Sequence, residues 1–197
     1  MFPARRIAHA GVIAAVYAAL TLVVIQNPLG YGPVQFRLSE ALTVVACLTP
    51  AAIPGLWIGA LVANAAMLAQ FGALAIFDVI FGSAASALGA VWTWRFRSRP
   101  VIALLGPVVA NALIVPAYLP VVLSQVAGLG YYEVPALGIE AGSTWLGMYL
   151  FGVVFVGLGQ ALVVYGLGLP LLAVLKRAGV ARMVGGAEGE ASGDESC

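Results

Sequence analysis

The stretch Gln35–Leu42 reads Q-F-R-L-S-E-A-L, and it sets a positive and a negative side chain, Arg37 and Glu40, one helical turn apart. These charges stand out because only 9% of the 197 residues are charged and 62% are apolar. A carboxylate such as Glu40 is costly at membrane depth unless it has a partner, so it marks a functional site by default. Both fold and function therefore depend on what neutralises Glu40.

Around this stretch the chain consists of apolar runs of about 20 residues, the length that an α-helix needs to cross hydrocarbon. With a mean hydropathy of +1.05, the chain has too few charges to cover the surface of a soluble domain. The sequence predicts an all-α integral membrane protein with six transmembrane helices in residues 1–180, followed by a disordered, solvated cytoplasmic tail in residues 181–197. The predicted spans are Ile7–Ile25, Phe36–Leu48, Ala52–Phe71, Ala73–Trp94, Val101–Leu123 and Thr144–Leu175.

Three of these spans need comment. The first is expected to be a retained helix rather than a cleaved signal peptide, because five further spans follow it. The second is short for a full crossing, which is expected only where protein or a cavity covers its backbone. The last is longer than the bilayer is thick, so it tilts or its ends leave the membrane.

The basic residues predict the orientation, because they favour cytoplasmic loops. With six spans, all of them except Arg37 fall on one side: Arg5, Arg6, Arg95, Arg97, Arg99, Lys176, Arg177 and Arg182. Both termini are therefore expected in the cytoplasm. Four acidic residues fall on the outer half or in outer loops: Glu40, Asp78, Glu133 and Glu140.

Arg37 and Glu40 share one face of an α-helix with Cys47 and with Thr43 or Val44. Either Arg37 and Glu40 form an internal ion pair, or Glu40 points into a ligand site near the outer surface. The second interpretation is favoured because polar groups occur on the other spans as well. Each of these alone could be an interhelical hydrogen-bonding residue; they are Asn64, Asp78, Asn111, Tyr149 and Gln160.

These side chains suit a flat, hydrogen-bonding heterocycle. A carboxylate can accept two parallel bonds from a guanine-like edge, and a carboxamide can donate or accept. Phosphate is a poor candidate, because Arg37 has no basic cluster around it. Aromatic residues are available for stacking: Phe71, Phe77, Tyr118, Tyr131 and Tyr132. The residue types are compatible with such a ligand but do not select it on their own.

Several function classes lack their required residues. The sequence has no glycine-rich phosphate loop followed by lysine and no Ser/His/Asp set, and the single histidine, His9, lies at the end opposite the acids. Two distant cysteines, Cys47 and Cys197, make a disulfide or a cysteine metal site improbable, and no basic groove indicates nucleic acid. The chain is therefore expected to be no enzyme and to hold no cofactor of its own.

Small residues recur every four positions along the first span, at Ala10, Ala14 and Ala18, with Ala15 and Ala19 alongside. Such a stripe allows close approach of another helix. That helix can belong to the same chain or to a separate membrane subunit, and the residues alone leave both alternatives open.

The chain resembles the QueT family, the predicted queuosine-precursor S components of energy-coupling factor (ECF) transporters. The resemblance covers most of the chain up to Lys176. Its most specific part is N-P-L-G-Y-G-P-V-Q-F-R-L-S-E-A-L at Asn27–Leu42. It continues at Thr49–Gly59 (T-P-A-A-I-P-G-L-W-I-G), Asp78–Ser83 (D-V-I-F-G-S), Pro107–Pro116 and Gly166–Leu172.

The resemblance implies a six-helix S-component fold in the bacterial cytoplasmic membrane, with the substrate near the outer face under the loop between spans one and two. The implied substrate is a 7-deazaguanine, such as 7-aminomethyl-7-deazaguanine or queuine. Transport would require a transmembrane coupling subunit and two ATPase subunits, which use the ATP. The alternatives are a stand-alone permease and an S component for a different heterocycle.

The family motif maps onto four residues of the candidate site: Arg37, Glu40, Asp78 and Asn111. It also implies that the stripe Ala10, Ala14 and Ala18 docks on the coupling subunit. One departure concerns Gln160, where the family pattern leads us to expect a glutamate. A neutral amide there removes one partner for an amine, so the precise substrate can differ.

Overall fold

The computed structural model describes residues 4–24, 36–123, 133–134, 139–140 and 144–180. In chain order its α-helices are α1 (Ala4–Val24), α2 (Ala52–Phe71), α3 (Ser83–Arg95), α4 (Pro100–Ala103), α5 (Leu105–Leu123), α6 (Trp145–Val163) and α7 (Leu169–Arg177). A 3₁₀ helix over Leu38–Cys47, the central 3₁₀ helix, precedes α2, and a 3₁₀ turn over Ala73–Ala75 follows it. Two π-helical segments lie at Asp78–Gly82 and Val164–Gly168. The strands β1 (Glu133–Val134) and β2 (Ile139–Glu140) pair antiparallel, with Glu133 opposite Glu140.

Five helical stretches are long and apolar enough to cross a membrane: Ala4–Val24, Ala52–Ala69, Ala73–Arg95, Pro100–Tyr118 and Trp145–Arg177. The prediction of a helical, multi-pass membrane protein is thus confirmed. The short apolar helix Leu38–Cys47 has only ten residues, so the sixth span stays a prediction. The predicted tail at residues 181–197 lies outside the described residues. Ile25, the last residue of the predicted first span, also lies outside them.

The central 3₁₀ helix is longer than its residue count indicates. A 3₁₀ helix rises about 2.0 Å per residue, so ten residues extend about 20 Å, against about 15 Å for an α-helix. Residues three apart eclipse one another in this winding, which aligns the buried side chains of Glu40, Thr43 and Ala46 with Arg37. The sequence predicted an α-helical face that included Cys47. This prediction is wrong, because the 3₁₀ winding aligns Ala46, and not Cys47, with Glu40. Cys47 is only partly buried.

Other helices surround the central 3₁₀ helix, including α1, α2, α3, α7 and the π segment Val164–Gly168. Near its C-terminal end, Val44 packs in one apolar cluster with Leu104 and Leu172. Leu104 follows the basic loop after α3, and Leu172 precedes the basic residues at the end of α7. The basic residues after α3 and those at the end of α7 therefore lie at the same end of the bundle. Arg37, at the N-terminal end of the central 3₁₀ helix, lies towards the other end.

The alanine stripe of α1 packs against glycines of α2. A Cβ atom on Gly55 would lie 2.8 Å from the carbonyl oxygen of Ala10, and one on Gly59 would lie 2.8 Å from that of Ala14. Ala18 is buried as well. The structure thus uses Ala10 and Ala14 for packing within the chain, and a single chain does not test their predicted docking role. The small residues on the exposed side of α1 are Ala8, Gly11, Ala15 and Ala19.

We expect Gly59→Ala to lower the melting temperature of the purified protein, because the new Cβ displaces the backbone of α1. Overpacking of this kind costs about 1–3 kcal/mol. Gly11→Ala is the matched control, since a Cβ there meets nothing within 4 Å and alanine favours a helix by roughly 0.5–1 kcal/mol. Thermal unfolding in detergent measures both variants, and a larger loss for Gly11→Ala would contradict the packing.

Candidate substrate-binding site

Arg37 forms a buried ion pair with Asp78 across the bundle. Its Nη2 donates to Asp78 Oδ2 at 2.8 Å and to Asn64 Oδ1 at 3.1 Å. All three residues are at most 8% exposed. The interpretation of Arg37 and Glu40 as an internal ion pair is therefore wrong, because the arginine finds its carboxylate on the π segment before α3.

A tyrosine and two further hydrogen bonds complete this group. The Tyr118 hydroxyl donates to Asp78 Oδ1 at 2.6 Å. The Asn64 Nδ2 donates to the Asp78 carbonyl oxygen at 2.9 Å and to Ser83 Oγ at 3.1 Å. We call these five residues the arginine cluster. It draws on the central 3₁₀ helix, α2, α3, α5 and the first π segment, so it ties most of the bundle together.

The first π segment shapes the backbone at Asp78. The Asp78 carbonyl oxygen accepts from the backbone N–H of Ser83, five residues on, as well as from Asn64. π-Helical turns are rare and occur frequently at functional sites. Gly82, inside the segment, leaves room for the site, because a Cβ there would lie 2.5 Å from Asp78 Oδ1 and 2.9 Å from the Tyr118 hydroxyl oxygen.

Glu40 is held by three hydroxyl groups. Its Oε1 accepts from the Tyr17 hydroxyl at 2.5 Å and from Ser86 Oγ at 2.6 Å, and its Oε2 accepts from Thr43 Oγ1 at 3.3 Å. The Glu40 side chain is 0% exposed. We call these four residues the glutamate cluster. It joins α1 and α3 to the central 3₁₀ helix, one turn away from the arginine cluster.

Sequence reasoning missed Tyr17. A usable signal was present, because Tyr17 and Thr21 lie one turn apart in an otherwise apolar span, whereas membrane tyrosines are enriched at the interfaces. Thr21 extends the polar contacts, since its Oγ1 donates to the Tyr17 carbonyl oxygen at 2.9 Å and lies 2.7 Å from Ser39 Oγ.

The two clusters together hold two carboxylic groups, on Asp78 and Glu40, and one guanidinium group, on Arg37. Burying a charged group is unfavourable unless hydrogen bonds or an opposite charge compensate it. Asp78 has the guanidinium of Arg37 as a partner, whereas the groups that hold Glu40 are hydroxyls, which supply hydrogen bonds but no charge.

Three buried side-chain atoms of the predicted site have no hydrogen-bond partner: Arg37 Nη1, Asn111 Oδ1 and Gln160 Nε2. The amide nitrogen of Asn111 donates to the Pro107 carbonyl oxygen at 2.9 Å, which leaves its oxygen as an acceptor. Unpaired buried polar atoms are rare in folded proteins, and each calls for a ligand, a water or another explanation. The three atoms are two donors, on Arg37 and Gln160, and one acceptor, on Asn111.

The pattern of residues and the geometry point to a known family. The family described as QueT transporter matches residues 7–177. This chain is a member of the QueT transporter family. Residues 7–177 include every member of both clusters, and the family is one of membrane transporters, not of enzymes. No curated protein and no solved structure matches the chain.

The remaining predicted residues of this QueT family member differ in their setting. The Tyr149 hydroxyl donates to the Leu113 carbonyl oxygen at 3.2 Å, so its described bond goes to the backbone of α5 and not to either cluster. Phe77 stacks on Phe81, whose ring centroid lies 6.1 Å from that of Tyr118. Tyr131, Tyr132 and residues 25–35 lie outside the described residues, as does the side chain of Phe71.

A hollow of about 490 Å³ lies between α3 and α5 of this QueT family member, and no residue of the two clusters lines it. Within the described residues, protein groups hold both carboxylates: hydroxyl groups bond Glu40, and Arg37 and Tyr118 bond Asp78. A ligand that contacts either carboxylate has to replace one of these groups.

Proposed function

We propose that this QueT family member is the substrate-binding membrane subunit, the S component, of an ATP-driven ECF importer. In this proposal it captures a queuosine precursor of the 7-deazaguanine class at the outer face. The observation that carries the proposal is the pair of buried clusters, which hold two carboxylic groups and one guanidinium, in a chain of the QueT family. The outer position rests on the positive-inside rule, because Arg37 lies towards the end opposite the basic loops.

The unpartnered atoms suit the ring of such a precursor. A deazaguanine presents N–H and NH₂ donors beside a carbonyl acceptor, so Asn111 Oδ1 can accept from the ring, and Arg37 Nη1 and Gln160 Nε2 can donate to it. The ammonium group of the aminomethyl form supplies a second cationic group beside the two carboxylic groups. This ammonium group can replace the Tyr118 hydroxyl on Asp78, because it adds the attraction of opposite charges to the hydrogen bond.

The binding test uses purified protein and 7-aminomethyl-7-deazaguanine in isothermal titration calorimetry. We expect Glu40→Gln and Gln160→Leu each to weaken binding by about tenfold or more, since losing a buried polar partner costs about 1–3 kcal/mol. Thr93→Val is the matched control, because Thr93 is buried and belongs to neither cluster, and its hydroxyl bonds the carbonyl oxygens of Gly89 and Ala103. Failure of well-folded protein to bind any queuosine precursor would refute the proposed substrate.

The proposal also assigns the exposed small residues of α1 to docking. Ala8, Gly11, Ala15 and Ala19 form a shallow face on which a helix of a coupling subunit can approach closely. The coupling subunit in turn binds two ATPase subunits, which supply the energy. The rival function is a stand-alone permease, and substrate uptake into vesicles that contain this chain without any ATPase would favour it.

A further inference from the structure

The hollow between α3 and α5 is separate from the two clusters, and its lining is apolar except for one guanidinium group. We propose that this groove binds an acyl chain of an anionic phospholipid, with Arg95 holding the phosphate. The inference does not depend on the transported substrate. It rests on the shape of the groove, its charge and its position at the basic end of the bundle.

The groove is preformed by a fixed tryptophan. Trp92 Nε1 donates to the Ile102 carbonyl oxygen at 3.1 Å, and its ring centroid lies 4.6 Å from that of Phe96. Gly106 provides the space for this ring, because a Cβ at that position would lie 2.4 Å from Trp92 Cδ1. An acyl chain therefore finds a ready concave surface and does not have to open one.

Along α3, the groove runs from apolar residues to a charged one, in the same order as the acyl chain and headgroup of a phospholipid. Leu88 and Arg95 both line the groove and are seven positions apart, which is about 10 Å along an α-helix. Half the hydrocarbon thickness of a bilayer is about 15 Å. The apolar end of the groove thus points to the middle of the membrane, and the guanidinium lies where a headgroup phosphate is found.

The charge next to the groove is positive. Arg95 is exposed, and its guanidinium carbon lies 5.8 Å from the centroid of the Phe96 ring. Arg97 and Arg99 follow within the same loop, and Arg97 is stacked on Trp94 at 4.0 Å. Basic pockets between transmembrane helices on the cytoplasmic side are recognised binding sites for anionic headgroups, and the positive-inside rule places this loop on that side.

The test counts phospholipids on the full chain by native mass spectrometry after exchange into nanodiscs of phosphatidylglycerol or phosphatidylcholine with the same acyl chains. We expect the natural chain to keep one phosphatidylglycerol in preference to phosphatidylcholine. Arg95→Gln should lower this retention by about fivefold, whereas the exposed control Arg99→Gln should not. Ala110→Phe fills the groove and should remove the lipid, whereas Ala117→Phe, on the exposed face of α5 outside the groove, should keep it.

Three results would overturn the assignment. Equal retention of the two lipids would remove the role of the anionic headgroup. Unchanged retention in Ala110→Phe would place the lipid elsewhere. Loss of association with a protein subunit in Ala110→Phe, with lipid retention unchanged, would make the groove a protein interface.

Discussion

Asp78→Asn is expected to destabilise the protein by about 3–5 kcal/mol, because it leaves Arg37 as a buried charge without its counter-ion. The loss should be visible as earlier unfolding when sodium dodecyl sulfate is titrated into the protein in mild detergent. Glu40→Gln is the natural comparison, because Glu40 is held by hydroxyl groups. A hydroxyl group can rotate and either donate or accept, so the hydroxyl groups around Glu40 can also bond a glutamine. We therefore expect Glu40→Gln to lose less stability than Asp78→Asn.

A double variant tests the same ion pair by removing both of its charges. Arg37→Met with Asp78→Asn removes both charges, so most of the stability lost in Asp78→Asn should return. The double-mutant cycle should therefore give a large coupling energy between the two positions. Additive losses in the double variant would contradict the ion pair as the main link between the central 3₁₀ helix and the π segment.

Ala15→Trp is expected to abolish ATP-driven uptake while leaving substrate affinity unchanged. Ala15 lies on the exposed face of α1, where a large ring would keep a coupling helix from approaching. It does not belong to either cluster, so the binding site is left intact. Uptake is measured in cells that express the coupling and ATPase subunits, and affinity is measured by calorimetry on the purified variant.

The matched control for this prediction is Val154→Trp. Val154 is 54% exposed on α6, so the same ring is placed on another outward face of the bundle. We expect normal uptake in this variant and co-purification with the coupling subunit. Unimpaired uptake in Ala15→Trp would rule out α1 as the docking face, and loss of uptake in both variants would indicate a general defect.

The sequence was sufficient for the helical class and for the choice of the charged residues that the structure buries. Long apolar runs predicted the membrane helices, and the rarity of charge singled out Arg37, Glu40 and Asp78. The alanine stripe was also recognised as an interface, and the family resemblance assigned it to the coupling subunit. The structure packs Ala10 and Ala14 within the chain, against Gly55 and Gly59, and the docking role stays a prediction.

The pairing of these charges could not be read from spacing. An α-helical register places Glu40 next to Arg37, whereas the structure turns Arg37 to Asp78 through a 3₁₀ helix and a π segment. Each hydrogen bond spans one residue fewer in the 3₁₀ helix and one residue more in the π segment than in an α-helix, and the spacing of the residues does not distinguish these windings. Tyr17 and Ser86 were missed as partners of Glu40 for the same reason, because they approach it only when three helices pack together.

The winding of Leu38–Cys47 also has a mechanical consequence. Relaxing ten residues from three to 3.6 per turn would shorten the segment by about 5 Å and rotate one end against the other by roughly 200°. Such a change would couple the end of the segment at Arg37 to the end at Cys47, which lies near Lys176. A rotation at one end of the segment would then be transmitted to its other end.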